Sequence, residues 1–318
     1  MTIARLLRRI SAGTQRLFAS RAHSGPYRFL VRNWDGITDI DLAINVMGTD
    51  YFRREVDVLY LPIESLRSIL VLAPHQDDEA IGAGGTLLLA EAANVPVEIL
   101  FVTDGSQLSA ADPPEVLVEK RRAEATEVCR RLGAKMLELG ISNDRFDVEL
   151  RTLERLSEMV WKVNPQVLMI PWILDYPPVH RLVNHLLFLA DARYGLPDLE
   201  IWGYQVHNGL YPNGYVDITD VAEEKRSLLE VYRSQLDHYW RYDHLAMGMG
   251  AWNSRYLPIE LGNPQARYAE VFFALPKREY LGLVERFYLK DLGKTYRDRL
   301  DVANSARAIH EKATGSRL

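Results

Sequence analysis

Short apolar runs alternate with amphipathic stretches over most of the chain. Nearly uninterrupted apolar segments occupy positions 68–74, 97–103 and 167–172. Runs of this length and composition predict strands that are buried on both faces. The stretches 115–132 and 150–163 have apolar residues at helical spacing. This alternation predicts an α/β fold with a Rossmann-like, mostly parallel sheet and helices on both faces.

The remaining elements have weaker patterns. Residues 199–206 and 268–275 alternate loosely and predict further strands, and residues 56–61 predict a strand paired beside the central one. A single helix is expected over 221–236. Residues 237–256 are rich in aromatic residues, His, Met and Gly. That composition is equally compatible with an aromatic rim around a substrate and with a packed irregular loop.

A dense group of ionisable residues follows the first apolar run. It consists of His75, Asp77, Asp78 and Glu79, and three glycines come soon after at 82, 84 and 85. In open α/β sheets, ligands bind beyond the carboxyl ends of the strands. His75 and Asp78 are three residues apart, so both can face one point where the chain turns into a helix.

Two interpretations of this group are open. An imidazole and a carboxylate suit a zinc-like divalent ion, and Asp77 would then lie beside the ion as a general base. Acidic residues also favour the positive end of a helix dipole, which accounts for one or two of the acids. That second interpretation leaves the histidine and the remaining acids unexplained.

The segment Pro-His-Gln-Asp-Asp-Glu at 74–79 resembles the signature of the LmbE/PIG-L family of de-N-acetylases. These are zinc hydrolases that remove acetyl groups from N-acetylated amino sugars. The resemblance extends over about 68–275, and further matching elements lie at Asp104-Gly105, Arg121 to Glu124, Asp175 to Arg181 and Ser234-Gln235. It implies an LmbE-like three-layer sandwich. We expect an N-terminal basic arm and irregular lead-in at 1–55, an LmbE/PIG-L-like catalytic domain at 56–275 and a C-terminal helical extension at 276–318.

The resemblance also implies roles for individual residues. His75, Asp78 and His180 correspond to the metal ligands, which hold Zn²⁺ or another divalent metal, and Asp77 corresponds to the general base on metal-bound water. A lone histidine such as His180 is otherwise more often structural. Weaker candidates for substrate contact are Asp104, Arg121, Asp175, Arg181 and His207. For Arg121, a surface ion pair with Glu124 is an equal alternative.

Pro177 departs from the family pattern, which has His-Pro-Asp-His before the arginine. The first histidine of that pattern, credited with assisting the tetrahedral intermediate or the leaving group, is replaced by a proline without a side-chain donor. The aspartate before the ligand is Val179, so a partner for the ligand is also missing. Asp175, Arg181 and His207 are the candidates to replace the missing groups.

The expected function is removal of an N-acetyl or N-acyl group from an amino sugar or glycoconjugate by a metal-dependent hydrolase. One alternative is an amidase that cleaves a thiol or other conjugate with the same ligands. Another is a weakly active or non-catalytic sugar-binding protein, which Pro177 favours and the intact ligand set disfavours. Dinucleotide binding is a weak hypothesis, because the glycines do not follow the strand directly.

Charge is unevenly distributed along the chain. Residues 1–34 contain seven arginines and no acid, so they carry +7, while the remainder carries −12. Apolar residues recur in this arm at roughly helical spacing, which predicts peripheral contact with an anionic membrane. A transit peptide, a helix docked on the acidic body and a loose tail are the alternatives. We expect a cytoplasmic protein with membrane association, and no nucleic-acid partner for so acidic a body.

Overall fold

The computed structural model describes residues 58–316 except 107–111, 144–145, 147, 237–240, 259–264 and 297–298. The basic arm, and with it the expected membrane contact, lies outside these residues. The strands of the described part are β1 (Leu59–Tyr60), β2 (Ile69–Ala73), β3 (Val97–Thr103), β4 (Lys135–Ile141), β5 (Val167–Pro171), β6 (Glu200–Tyr204), β7 (Gly214–Asp217) and β8 (Ala269–Pro276).

The helices surround this sheet. They are α1 (Asp78–Ala92), α2 (Pro114–Arg131), α3 (Leu150–Val163), α4 (Pro178–Tyr194), α5 (Ala222–Leu229), α6 (Arg233–Leu236), α7 (Tyr242–Asn253), α8 (Lys277–Tyr288), α9 (Leu292–Thr295) and α10 (Leu300–Thr314). Short 3-10 turns lie at Ile63–Ser65, Thr219–Val221 and Ser254–Tyr256. Within the described ranges, no helix combines the length and apolar character needed to cross a bilayer.

The strands form one mixed sheet in the order β1-β7-β8-β6-β5-β2-β3-β4. All neighbouring strands are parallel except β8, which runs antiparallel to both β6 and β7. From β2 the chain moves outward through β3 and β4, and then returns to β5 on the other side of β2. The carboxyl ends of β2 and β5 therefore flank the crevice where such folds bind ligands.

Two apolar cores cover the two faces of the sheet. One contains buried side chains of α1, α2, α5 and α7, and the other contains those of α3, α4, α8 and α10. The strand β2 is fully buried over its whole length, as its continuous apolar sequence predicts. The expected three-layer α/β architecture is confirmed, whereas the expected domain boundaries remain a prediction.

Two of the weaker expectations are wrong. The strand at the start of the described chain is at the sheet edge, where Leu59 pairs with Gly214, and not beside the central strand. The helix expected over 221–236 is divided, because a turn at 230–232 separates α5 from α6. In that turn the Tyr232 backbone N–H donates to the Leu229 carbonyl, and the Tyr232 side chain is buried against α1.

Candidate metal centre and active site

Three of the predicted site residues meet at the crevice between β2 and β5. His75 follows the end of β2, Asp78 is the first residue of α1, and His180 lies in the first turn of α4. One potential ligand atom from each residue lies within 4.8 Å of the others. His180 is completely buried and Asp78 is 2% exposed. Three crossover connections, from β2 through β3 and β4 to β5, thus bring together residues that are 105 positions apart in sequence.

Asp78 is the centre of this group. Its Oδ2 atom accepts a hydrogen bond from the His75 backbone N–H at 2.8 Å and lies 3.2 Å from the His75 Nδ1 atom. The same oxygen is 3.3 Å from the Nε2 atom of His180. One carboxylate oxygen therefore faces two imidazoles, which is the donor set of a compact site for a divalent ion.

The ring orientation of His180 leaves one nitrogen free for a ligand. Its Nδ1 atom is 2.8 Å from the Asp175 Oδ2 atom, so the carboxylate accepts the Nδ1 proton. Its Nε2 atom is buried and makes no hydrogen bond within the described part of the chain. A buried polar atom without a partner is costly, and a cation at this point would satisfy it. The residues therefore fit a metal ion.

His75 is oriented by a comparable contact. Its Nε2 atom is 3.0 Å from the Asn143 Oδ1 atom. The amide of Asn143 is fixed because its Nδ2 group donates to the Ser106 carbonyl at 2.9 Å, so Oδ1 must accept from His75. Each histidine thus gives one ring N–H to a neighbouring oxygen and keeps its other nitrogen toward Asp78, the arrangement typical of metal-binding histidines.

The electrostatics of the centre favour a positive charge. Although burial opposes it, the charges of Asp78 and Asp175 raise the pKa of His180 to about 10. Burial likewise opposes ionisation of Asp78, yet His180 and His75 hold the pKa of that carboxyl well below its usual range. The negative charges of Asp78 and Asp175 would stabilise a proton on His180 and a cation between the ligands in the same way.

Asp77 is held in a strained conformation beside the centre. It is 8% exposed, and its φ of 146° is a region that favours glycine. Its backbone N–H donates to the Glu79 Oε2 atom at 3.3 Å, and the other oxygen of Glu79 accepts from the hydroxyl of Tyr232. Burial and the adjacent Asp78 raise the pKa of Asp77 well above its ordinary value. Asp77 thus adds a second buried carboxyl next to Asp78, although it does not belong to the candidate ligand group.

The candidates near β3 are engaged with protein groups. Asp104 accepts hydrogen bonds through Oδ1 from the backbone N–H groups of Ser106 and Asn143. Arg121 is 5% exposed and donates to the Gln235 side chain at 2.7 Å, not to Glu124. Glu124 instead accepts from Ser234, so the alternative of an exposed Arg121–Glu124 ion pair is wrong.

The three candidates to replace the missing family groups have different positions. Asp175 is fully buried against His180, and so supplies the partner that Val179 cannot. Arg181 is 3% exposed and donates to the carbonyls of Asp175 and Thr295. His207 is exposed, and its ring centroid lies 5.3 Å from that of His180. Pro177 itself precedes α4 with φ −66°.

Sequence reasoning missed Asn143. No motif marks it, and it is separated from His75 by 68 positions. It does follow the end of β4, two strands away from β2 at the same edge of the sheet. Polar residues just after parallel strands are candidates for a site on this ground alone, so its position was the available signal.

Comparison with known proteins places the chain in a family. The family model PIG-L, described as GlcNAc-PI de-N-acetylase, matches residues 70–190. The diacetylchitobiose deacetylase of Thermococcus kodakarensis is 30% identical over 196 residues, which span 55% of this chain and 72% of that protein. The chain belongs to the PIG-L family. The matched range contains all three ligand candidates and Asp77 of this PIG-L family member.

Solved structures support the fold assignment. The N,N'-diacetylchitobiose deacetylase of Pyrococcus horikoshii superposes with a TM-score of 0.58 at 24% identity and covers 77% of this PIG-L chain and 96% of its own. The 4-carboxy-2-hydroxymuconate hydratase of Pseudomonas putida has a TM-score of 0.56 at 21% identity, with coverages of 66% and 96%. Because a hydratase shares the architecture, the fold alone does not set the reaction.

Proposed function

We propose that this protein is a metal-dependent hydrolase that removes the N-acetyl group from an amino sugar or glycoconjugate. The observation that carries the proposal is the buried Nε2 atom of His180, which faces the Asp78 carboxylate at 3.3 Å and makes no hydrogen bond within the described residues. Asp77 stands beside this pair as a second buried carboxylate. Further support is the family membership and the relative that is named a diacetylchitobiose deacetylase.

His75, Asp78 and His180 would hold the ion, and we propose Zn²⁺ because two imidazoles and one carboxylate suit it best. The chemistry that such an ion supplies is Lewis-acid polarisation of the amide carbonyl and a lower pKa of water. Asp175 and Asn143 keep the two imidazoles in the tautomers that bind a cation.

Asp77 takes the proton of the attacking water and passes it to the departing amine. One carboxylate suffices for both transfers, because the proton removed from the nucleophile is the one that the amine needs. The products are acetate and a sugar with a free amino group.

The test is release of acetate and primary amine from N,N'-diacetylchitobiose and from larger N-acetylated glycoconjugates. Wild type, Asp77→Asn and His180→Ala are compared after loading with one equivalent of zinc. His244→Ala is the matched control, because His244 is an exposed histidine of α7. We expect equal amounts of acetate and amine from wild type and the control, and neither product from the two site variants. An inactive wild type that binds zinc tightly contradicts the proposal.

We further propose that the arginine-rich segment 1–34 brings the enzyme to anionic membrane surfaces. The support is its charge of +7 together with apolar residues at roughly helical spacing. Cosedimentation with vesicles containing phosphatidylserine should be strong at low salt and lost with neutral vesicles. Equal binding to both vesicle types, or to neither, contradicts this part of the proposal.

A further inference from the structure

His180 lies between two less buried imidazoles. Its ring centroid is 5.5 Å from that of His75 and 5.3 Å from that of His207. His75 belongs to the ligand group, whereas His207 comes from the segment after β6 and is not part of that group. His207 thus lies next to His180 without belonging to the candidate ligand group.

The position of His207 is tied to that of His180 through a single carboxyl group. Asp175 accepts the Nδ1 proton of His180 with Oδ2. Its Oδ1 atom accepts the backbone N–H groups of His207 at 3.1 Å and Asn208 at 2.9 Å. Asn208 is also anchored through its side chain, which donates to the Leu174 carbonyl. The backbone that carries His207 is therefore fixed relative to the metal centre.

The ring of His207 packs against one aromatic residue, and its nitrogens remain available to a ligand. Its edge-to-face partner is Tyr242, at a centroid distance of 5.8 Å and an interplanar angle of 84°. The residue is exposed, and its ring nitrogens make no hydrogen bond among the described residues. An exposed imidazole held in this way can offer an N–H group to a bound substrate.

Amide hydrolysis needs such a donor. The carbonyl oxygen becomes negative as water adds, and a preorganised donor at that oxygen lowers the barrier. Neighbouring groups are poor candidates, because both oxygens of Asp175 accept protein protons and Arg181 is buried under two main-chain carbonyls. Pro177 has no side-chain donor at all.

We infer that His207 is a catalytic residue that donates a hydrogen bond from its imidazole to the acetamide oxygen in the transition state. This inference rests on the proposed function, because it assigns a donor for that reaction. The neutral ring suffices as the donor, so no change in its protonation is required. The donor acts together with the ion that His75, Asp78 and His180 would hold.

The test compares wild type, His207→Ala and His207→Gln, with His244→Ala as the control histidine. Acetate release from N,N'-diacetylchitobiose gives kcat and KM. Calorimetry gives the affinity for a glucosamine derivative in which a tetrahedral methylphosphonamide replaces the acetamide, and metal content is measured on each protein. A transition-state donor affects kcat and the affinity for the tetrahedral analogue together, and leaves KM and metal content alone.

For His207→Ala we expect kcat to fall about 10²–10³-fold and the analogue to bind more weakly by a similar factor. KM should stay within about threefold, and the metal content should equal that of wild type. His207→Gln keeps an N–H donor and should recover at least about tenfold over His207→Ala. An unchanged kcat, a raised KM alone, or loss of metal from His207→Ala would each overturn the inference.

Failure of the proposed function has a different signature. In that case wild type releases no acetate from any N-acetylated sugar, and the inference about His207 is rejected with it. If wild type is active and His207→Ala is equally active, the inference alone is rejected and the proposed function stands.

Discussion

Two buried polar clusters contact the same helix, α1, and they differ in how completely their atoms are paired. At the N-terminus of α1, the cluster around Asp78 leaves the His180 Nε2 atom without a hydrogen bond among the described residues. Further along α1, Lys225 and Glu270 form an ion pair at 2.6 Å, with side chains 2% and 3% exposed. Both clusters hold charged groups that are buried from water. Among the described residues of the two clusters, only the first contains a buried polar atom without a hydrogen bond.

The second cluster is closed by hydrogen bonds. The Lys225 Nζ atom also donates to the Ile81 carbonyl at 2.8 Å. Glu270 accepts from the Gly85 and Thr86 backbone N–H groups, both at 2.8 Å, and from the Thr86 hydroxyl at 2.6 Å. The contrast indicates how a structural ionic cluster differs from the proposed ligand site: the polar atoms of Lys225 and Glu270 have protein partners, whereas the cluster around Asp78 keeps the His180 Nε2 atom for a ligand.

We call the first cluster, formed by His75, Asp78 and His180, the open cluster. The largest effect on activity should come from changes at this cluster. Asp77→Asn removes the proposed general base and should lower acetate release by about 10²–10⁴-fold, because proton transfer contributes that much in such reactions. Zinc binding should persist, since Asp77 is outside the ligand group. The midpoint of thermal unfolding should change little. Retention of more than a tenth of the activity would contradict the role of Asp77.

Substitutions in the closed cluster, formed by Lys225 and Glu270, should lower the free energy of unfolding and not the activity. Lys225→Met leaves the Glu270 carboxylate buried without its cation, and the free energy of unfolding should fall by about 3–5 kcal/mol. The matched control is Lys135→Met, because Lys135 pairs with Glu98 at 3.1 Å but is 57% exposed. That change should cost less than about 1 kcal/mol. Urea unfolding measures both, and equal losses would erase the distinction between the sites.

An intermediate effect is expected where a carboxylate supports the open cluster. Asp175→Asn weakens the hold on His180 Nδ1, and should lower zinc affinity or activity by about 10–100-fold. Asn143→Ala should lower zinc affinity less, because the contact that it removes from His75 is made by a neutral amide and not by a charged carboxylate. Competition with a zinc-binding dye measures the affinities. Wild-type affinity in Asp175→Asn would show that the contact has no orienting role.

The smallest effect concerns a third cluster, between α4 and α10. The His185 Nδ1 atom is 2.7 Å from the Tyr296 hydroxyl, and its Nε2 atom is 3.3 Å from the His310 Nδ1 atom. Burial lowers the pKa of His185 to about 3. Below about pH 6.5, His185 binds a proton in the unfolded chain but stays neutral in the folded one. Its contribution to folding stability is therefore present above about pH 6.5 and is lost as pH falls.

Between pH 7 and 5.5 this difference amounts to about 1 kcal/mol of stability from His185. The variant His185→Gln cannot titrate, so its free energy of unfolding should fall less over this interval than that of wild type. Urea unfolding at both pH values gives the comparison. Equal losses in the two proteins would show that His185 is not the titrating group.

The open cluster was predictable from sequence because much of it is local. His75, Asp77 and Asp78 are contiguous with a buried strand, and His180 follows another strand in the same way. The rule that ligands bind at the carboxyl ends of strands places both segments at one edge of the sheet, and the family resemblance then assigns His180 to the ligand group. The α/β class followed from the same alternation of apolar runs and amphipathic helices.

The closed cluster was not predictable, because pairing between distant segments carries no local signal. Lys225 and Glu270 are 45 positions apart and belong to no motif. Their contact depends on β8 entering antiparallel between β6 and β7, after the helices α5 to α7. Asp175 was a candidate to replace the missing groups, but its contact with His180 could not be predicted, because it depends on the turn that precedes α4. Apolar periodicity reports which face is buried and not which strand lies beside it.

The most direct measurement is a zinc titration of metal-free protein in which acetate release from N,N'-diacetylchitobiose is followed in the same samples. We expect activity to rise in proportion to added zinc, to reach a plateau at one ion per chain, and to stay absent throughout in His180→Ala. Full activity in the metal-free protein, or a titration in His180→Ala that matches wild type, would contradict the assignment of the open cluster as the catalytic metal centre.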